Sequence, residues 1–156
     1  MCIRDSYETE IVLKIGKTGK SISEIQALDY ISAMTLGFDF TARDVQNECK
    51  ANRHPWEVAK SFDYSAAVGE CLDFSYDDLL KSKFTMTQNG KLLQTGNPNL
   101  MIFNIPQIIS FLSARFTLQR GDLIFTGTPS GVSQVHKGDL LQAYYNDKNL
   151  LTIDIK

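Results

Sequence analysis

Two glutamates spaced two apart and an aspartate closing an apolar run are the residues of this sequence with the clearest chemistry. Residues 7–15, YETEIVLKI, alternate in the manner of a half-buried strand. Side chains two apart in a strand share a face, so Glu8 and Glu10 project together while Thr9, Ile11, Leu13 and Ile15 line the other side. Asp39 ends the apolar segment 31–40, and a carboxylate at the end of a buried strand is costly unless something cationic meets it. If Asp39 comes from a neighbouring strand end to join the glutamates, three like charges converge. A hard divalent cation such as Mg2+ resolves that repulsion with oxygen ligands at about 2.0 to 2.1 Å. Without the convergence, the glutamates are a solvated strand face and Asp39 a turn acid. Arg43 and Lys60 follow in the same stretch, and on pattern alone they read as a surface helix residue and a snorkelling side chain.

The elements that must position these groups can be read in order. A turn at 16–19 leads to a short helix over 21–30, with Ser23 and Gln26 as an S-x-x-Q cap and Ile25 and Leu28 as its apolar face. Segment 31–40 reads as a strand in which Gly37 permits close backbone approach. Thr41 and Asp44 then read T-x-x-D, a helix start in which the hydroxyl caps an orphan N–H, and Pro55 and Trp56 interrupt that helix. Cys49 reads as a small half-buried side chain and not as a nucleophile. Segment 63–71 is an extended connection and 75–81 a polar turn or single helical turn. Strands 83–88 and 91–95 flank Asn89-Gly90, the signature of a type I′ hairpin. Pro106 suits the first position of a helix over 107–115, where Ile105, Ile108, Ile109 and Leu112 form a face that packs on a sheet. A short buried strand at 123–125 delivers Thr126-Gly127-Thr128-Pro129-Ser130-Gly131, a turn whose N–H groups and hydroxyls suit an anion such as a substrate carboxylate, although such clusters commonly just turn the chain. Segments 140–145 and 150–155 close the chain as a hairpin. The fold class is α+β, a mixed β-sheet roll with short helices packed outside.

Composition bounds the partners. A chain of 156 residues with 43% hydrophobic content has the size and the apolar content of one domain with its own core. A net charge of −2, with acidic and basic residues interspersed, supplies neither a basic stripe for nucleic acid nor a polybasic anchor for a membrane. No segment is apolar enough to span a bilayer. Cys2, Cys49 and Cys71 follow no metal or redox spacing, so free thiols and a cytoplasmic location are expected. The partner is expected to be a small molecule.

Five segments in order resemble the fumarylacetoacetate hydrolase family, and within it the acylpyruvate hydrolase and oxaloacetate-processing members. They are E-x-E at Glu8 and Glu10, FDFTARDVQ at 38–46, PWEVAKSFD at 55–63, MIFNIPQIISFLS at 101–113 and GDLIFTGTPSGV at 121–132. The resemblance implies a β-roll fold, Mg2+ or Mn2+ held by Glu8, Glu10 and Asp39, a functional lysine at Lys60, a substrate-contacting glutamine at Gln46, a substrate-binding turn at Thr126, Gly127 and Thr128, and a homodimer. It implies hydrolysis of a C–C bond in an acylpyruvate through a metal-stabilised enolate. Arg43 and Lys60 would attract the anionic substrate, and Lys60 would stabilise a developing oxyanion. The same enolate serves oxaloacetate decarboxylation or tautomerisation and dienoate isomerisation or hydration, and a fragment or binding module without activity would keep the fold alone. Family members carry a G-R-N-Y-x-x-H-x-x-E segment whose His and Glu act as base and partner. His54 and His136 do not stand in that context, so the expectation is a truncated reading frame that turns over poorly, with an extraneous start at 1–6 and a single catalytic domain at 7–156.

Overall fold

The computed structural model describes residues 5–156. β1 (Asp5–Tyr7) and β2 (Thr9–Ile15) form one extended stretch broken at Glu8. A 3-10 helix (Glu24–Tyr30) leads into β3 (Ile31–Asp39), which runs antiparallel to β2 with Glu10 opposite Gly37. β4 (Thr41–Ala42) pairs back onto β1 and is followed by α1 (Arg43–Asn52) and α2 (Glu57–Lys60). β5 (Ala66–Val68) and β6 (Leu72–Asp73) add to the outer edge of β3, and α3 (Tyr76–Leu80) connects to the hairpin β7 (Phe84–Gln88) and β8 (Lys91–Gly96). α4 (Ile105–Ser113) precedes β9 (Leu123–Phe125), which pairs with the free edge of β2. β10 (Ser133–Gln134) joins β1, and β11 (Leu140–Tyr145) and β12 (Lys148–Asp154) close the chain.

Three sheets result, in the orders β5-β3-β2-β9, β12-β11-β7-β8 and β10-β1-β4, and every named pair is antiparallel. The chain is the α+β roll expected, with its helices outside the sheets. One apolar cluster joins Ile11, Leu13 and Leu36 of the first sheet to Met86 and Leu141 of the second, with Ile105 and Ile109 of α4 closing it. Asp5 and Ser6 lie in β1, while residues 1–4 of the expected extraneous start lie outside the described residues.

Several local expectations are corrected. β2 is buried on both faces except at Lys14, because Ile11, Leu13 and Ile15 pack into the apolar cluster on one side while on the other Val12 and the β9 residue Phe125 fill the space over Gly37. A Cβ on Gly37 would stand 2.8 Å from both side chains, so the glycine is what lets them close over β3. Thr41 does not cap α1. Its pairing with Ser6 draws it into the ladder, the cap position falls to Ala42 without a side-chain bond, and the Thr41 hydroxyl is left without a partner among the described residues. The Ser23 hydroxyl meets the Gln26 side-chain oxygen at 3.0 Å instead of a backbone N–H. Ile25 is 96% exposed, while Ala27 is buried and Leu28 packs against the core, so the expected Ile25–Leu28 apolar face does not form. α4 begins one residue earlier than Pro106, under an unforeseen reciprocal cap between Asn104 and Gln107. The β7–β8 hairpin has the expected turn, with positive φ at Asn89 (54°) and Gly90 (78°). Among the described residues no helix is long and apolar enough to cross a membrane.

Candidate metal and substrate site

Glu8 stands at the break between β1 and β2, where its backbone N–H donates to the Asp39 carbonyl (3.1 Å) and its carbonyl accepts from Asp39 N–H (2.8 Å). This reciprocal pair sets the two side chains side by side, and Glu10 enters from β2. One oxygen from each of Glu8, Glu10 and Asp39 lies within 4.8 Å of the others. Lys60, the last residue of α2, donates to Glu8 Oε2 at 2.7 Å and to Asp39 Oδ2 at 2.6 Å. Arg43, the first residue of α1, spreads its guanidinium across Glu8 Oε1 (2.7 Å), Ser6 Oγ (2.8 Å) and Gln46 Oε1 (2.8 Å). The same Gln46 oxygen accepts from Lys50 Nζ at 3.2 Å, and that ammonium lies 4.9 Å from the centre of the Trp56 ring. Lys60 and Arg43 are therefore tied into the acidic group, whereas pattern alone would leave them on the surface.

The charges are unevenly balanced. Burial pushes the Glu8 carboxyl up, but hydrogen bonds from Lys60 and Arg43 prevail and hold it below the ordinary range. Asp39 has one bonded cation where Glu8 has two, and burial, opposed by Lys60, leaves its carboxyl raised. Burial disfavours the Lys60 ammonium, yet its bonds to Asp39 and Glu8 win and raise its pKa. Glu10, 4% exposed, is pushed up to about 7 by burial, against a backbone N–H from Gly127 and with the negative charges of Asp39 and Glu8 adding to the rise.

The turn after β9 is fastened to β2 by three successive residues. Thr126 Oγ1 donates to the Ile11 carbonyl (2.9 Å), Gly127 N–H to Glu10 Oε2 (2.6 Å), and Thr128 Oγ1 to the Thr9 carbonyl (2.9 Å). The anion that this turn meets here is thus Glu10 itself. Gln94 of β8, 1% exposed, pins the arrangement: its Oε1 accepts from Thr9 N–H (3.2 Å) and its Nε2 donates to Thr128 Oγ1 (2.9 Å) and the Pro129 carbonyl (3.0 Å). Sequence reading missed Gln94. The one available signal was a long polar side chain amid the strand residues KLLQTG, and strand phase does not say what it meets. A cavity of about 870 Å³ opens beside the turn, lined by its residues together with Ile11, Phe125 and α4 residues such as Ile108 and Phe111, but none of the three carboxylates lines it. His54 sits in the turn after α1 with its N–H on the Cys49 carbonyl, and His136 lies in the turn before β11 beside Asp139. Cys49 is buried, more deeply than the half-buried side chain expected.

These residues fit a hard divalent cation. The donors are carboxylate oxygens, the set that suits Mg2+ or Mn2+, and the Lys60 ammonium bridging two of them marks the place as one that attracts positive charge. Glu10 is a carboxyl at 4% exposure whose bonded partner is a neutral N–H, a costly burial that a cation would offset.

Residues 3–155 match the model of the fumarylacetoacetate hydrolase C-terminal domain. Over 138 residues the chain is 43% identical to the mitochondrial oxaloacetate tautomerase FAHD1 of Bos taurus, covering 88% of this chain and 62% of that protein. It is 39% identical to the mitochondrial oxaloacetate decarboxylase of Dictyostelium discoideum, covering 87% of this chain and 63% of that one. The crystal structure of fumarylpyruvate hydrolase from Pseudomonas aeruginosa, in complex with Mn2+ and pyruvate, superposes with a TM-score of 0.90 at 32% identity, covering 97% of this chain and 65% of the other. The chain thus spans less than two thirds of the length of each of these three.

Proposed function

The chain belongs to the fumarylacetoacetate hydrolase family, and from that premise we propose that it is a divalent-metal-dependent enzyme acting on a small 2-oxo acid, with oxaloacetate as substrate and keto–enol tautomerisation or decarboxylation as the reaction. The observation that carries this reading is the meeting of Glu8, Glu10 and Asp39 within 4.8 Å, with Lys60 bridging two of them. The three carboxylates would hold Mg2+ or Mn2+, which when bound supplies a Lewis acid for the enolate of the 2-oxo acid. Lys60, kept as an ammonium by its two carboxylate neighbours, presents a proton donor and a positive charge where enolate oxygen develops. Arg43 offsets the charge of Glu8, and Gln46, 3% exposed and held by Arg43, orients substrate. Thr126, Gly127 and Thr128 frame the substrate-side wall and fix Glu10 through the Gly127 N–H.

A second reading, hydrolysis of an acylpyruvate C–C bond, is favoured by the pyruvate-bound hydrolase that the fold resembles so closely. On either reading the protein works as a homodimer. The free thiols of Cys49 and Cys71 suit a reducing compartment. The sequence points to the cytoplasm whereas the curated relatives are named mitochondrial, and cell fractionation decides between them.

The test is metal titration joined to substrate turnover. The protein is expected to bind Mg2+ or Mn2+ by calorimetry, and Glu10→Gln and Asp39→Asn are each expected to weaken binding at least about 100-fold, beyond what loss of an outer partner costs. Unchanged titration in both variants removes the site. Enol loss from oxaloacetate followed by ultraviolet absorbance, beside cleavage of fumarylpyruvate, separates the two reactions.

A further inference from the structure

Lys50 differs from the other two cations of the site in what it touches. Lys60 and Arg43 each pair with carboxylates of the cluster at 2.6 to 2.7 Å. Lys50, one helical turn beyond Gln46 on α1, meets the Gln46 amide oxygen and the face of Trp56, and both partners hold it without neutralising it. Because Gln46 Oε1 also accepts from Arg43, whose other nitrogen bonds Glu8, an unbroken line of contacts runs from Lys50 to the three carboxylates. Glu8, Glu10 and Asp39 are matched in number by Lys60, Arg43 and Lys50. A divalent cation added to that balanced set leaves an excess of two positive charges, the complement of a dianion.

We infer that Lys50 is the specificity-determining residue that selects a dicarboxylic 2-oxo acid by pairing with its distal carboxylate. This deepens the reading of the site as one for 2-oxo acids and rests on it. The substrate's first carboxylate and 2-oxo oxygen occupy the end of the site near Glu8 and Asp39. The second carboxylate, carried past Gln46, then meets the Lys50 ammonium one helical turn farther along α1. Trp56 holds the ammonium in place, which lowers the entropy lost when the carboxylate arrives. A monocarboxylate has nothing to offer Lys50 and binds as if it were absent.

The experiment compares ligands with and without the distal carboxylate in the wild-type chain, Lys50→Met and Lys50→Arg, all with saturating Mg2+. In Lys50→Met the KM for oxaloacetate and the calorimetric Kd for malate, a dicarboxylate that keeps the first carboxylate and an oxygen at the second carbon, are expected to rise about tenfold, the size of one charge-assisted hydrogen bond. The Kd for pyruvate and the Kd for Mg2+ are expected to stay unchanged, and Lys50→Arg to keep most of the affinity for malate. Equal losses for malate and pyruvate, or no loss for either, overturns the inference. A wild-type chain that binds neither pyruvate nor malate and leaves oxaloacetate untouched overturns the parent reading, a result distinct from a selectivity that does not depend on Lys50.

Discussion

In the proposed site Glu10 and Lys60 would divide the labour. A carboxyl raised to about 7 in the metal-free chain must lose its proton before it can hold a cation, so Mg2+ affinity is expected to fall as pH drops through that value. Proton release on binding, read by calorimetry in buffers of different ionisation enthalpy, checks this, and Glu10→Gln should abolish the release. The sign for stability is the opposite of the usual acidic case. Because the folded pKa lies above the unfolded one, ionising Glu10 costs the metal-free fold stability as pH rises from the ordinary carboxylate range through about 7. Lys60 makes a different prediction: its ammonium neutralises Glu8 and Asp39 without being a ligand, so Lys60→Ala is expected to leave metal affinity intact or higher and to lower turnover about 10²- to 10³-fold, like the loss of an oxyanion donor. Equal turnover by the variant would remove the role. Pattern alone left Lys60 and Arg43 on the surface, but Glu8, Glu10 and Asp39 were legible as a candidate set, because E-x-E puts two carboxylates on one strand face and Asp39 ends an apolar run. Gln94 was not, since a glutamine in a strand is identified only by what its amide meets across the fold.

Elements place these residues through two devices that local pattern reveals unequally. The β2–β3 pairing with Glu10 opposite Gly37 was readable in outline from two apolar runs and a glycine, but the burial of both faces of β2 was not, because β9 arrives from more than a hundred residues away. Gly37→Ala would put a methyl 2.8 to 2.9 Å from Val12, Phe125 and the Ala67 carbonyl, which is overpacking costing roughly 1 to 3 kcal/mol. It is expected to weaken metal binding as well, since Glu10 rides on the displaced pair. Asn104→Ala removes the cap of α4 and should cost a similar amount, about 1 kcal/mol, with metal affinity unchanged because α4 carries none of the ligands. Chemical denaturation beside metal titration distinguishes the two. Helix starts were the weakest part of the sequence reading: T-x-x-D at Thr41 yielded to a strand pairing, while the true cap at Asn104 lay beyond the apolar pattern.

Across the whole molecule, the α+β roll and its outside helices follow from short alternating segments with strong turns, whereas the stacking of sheet β12-β11-β7-β8 against β5-β3-β2-β9 depends on which apolar faces meet and is not written in any one segment. Around α4, Ile102, Phe103, Phe111 and Phe116 are all exposed, and hydrophobic periodicity alone gave no sign of it. Mg2+ at 100 times its Kd is expected to add about 2.7 kcal/mol to the unfolding free energy, and a thermal melt that ignores the ion would contradict a site built into the native state alone. The bond from Gly127 to Glu10 joins groups 117 positions apart. The three carboxylates themselves meet through the nearer pairing of β2 with β3, so the proposed ligand set can assemble early, whereas the N–H that fixes Glu10 waits for the long loop to close. Partly folded copies would then offer the cation a looser grip, and the tightness of uptake doubles as a reading of how much of the population has closed that loop.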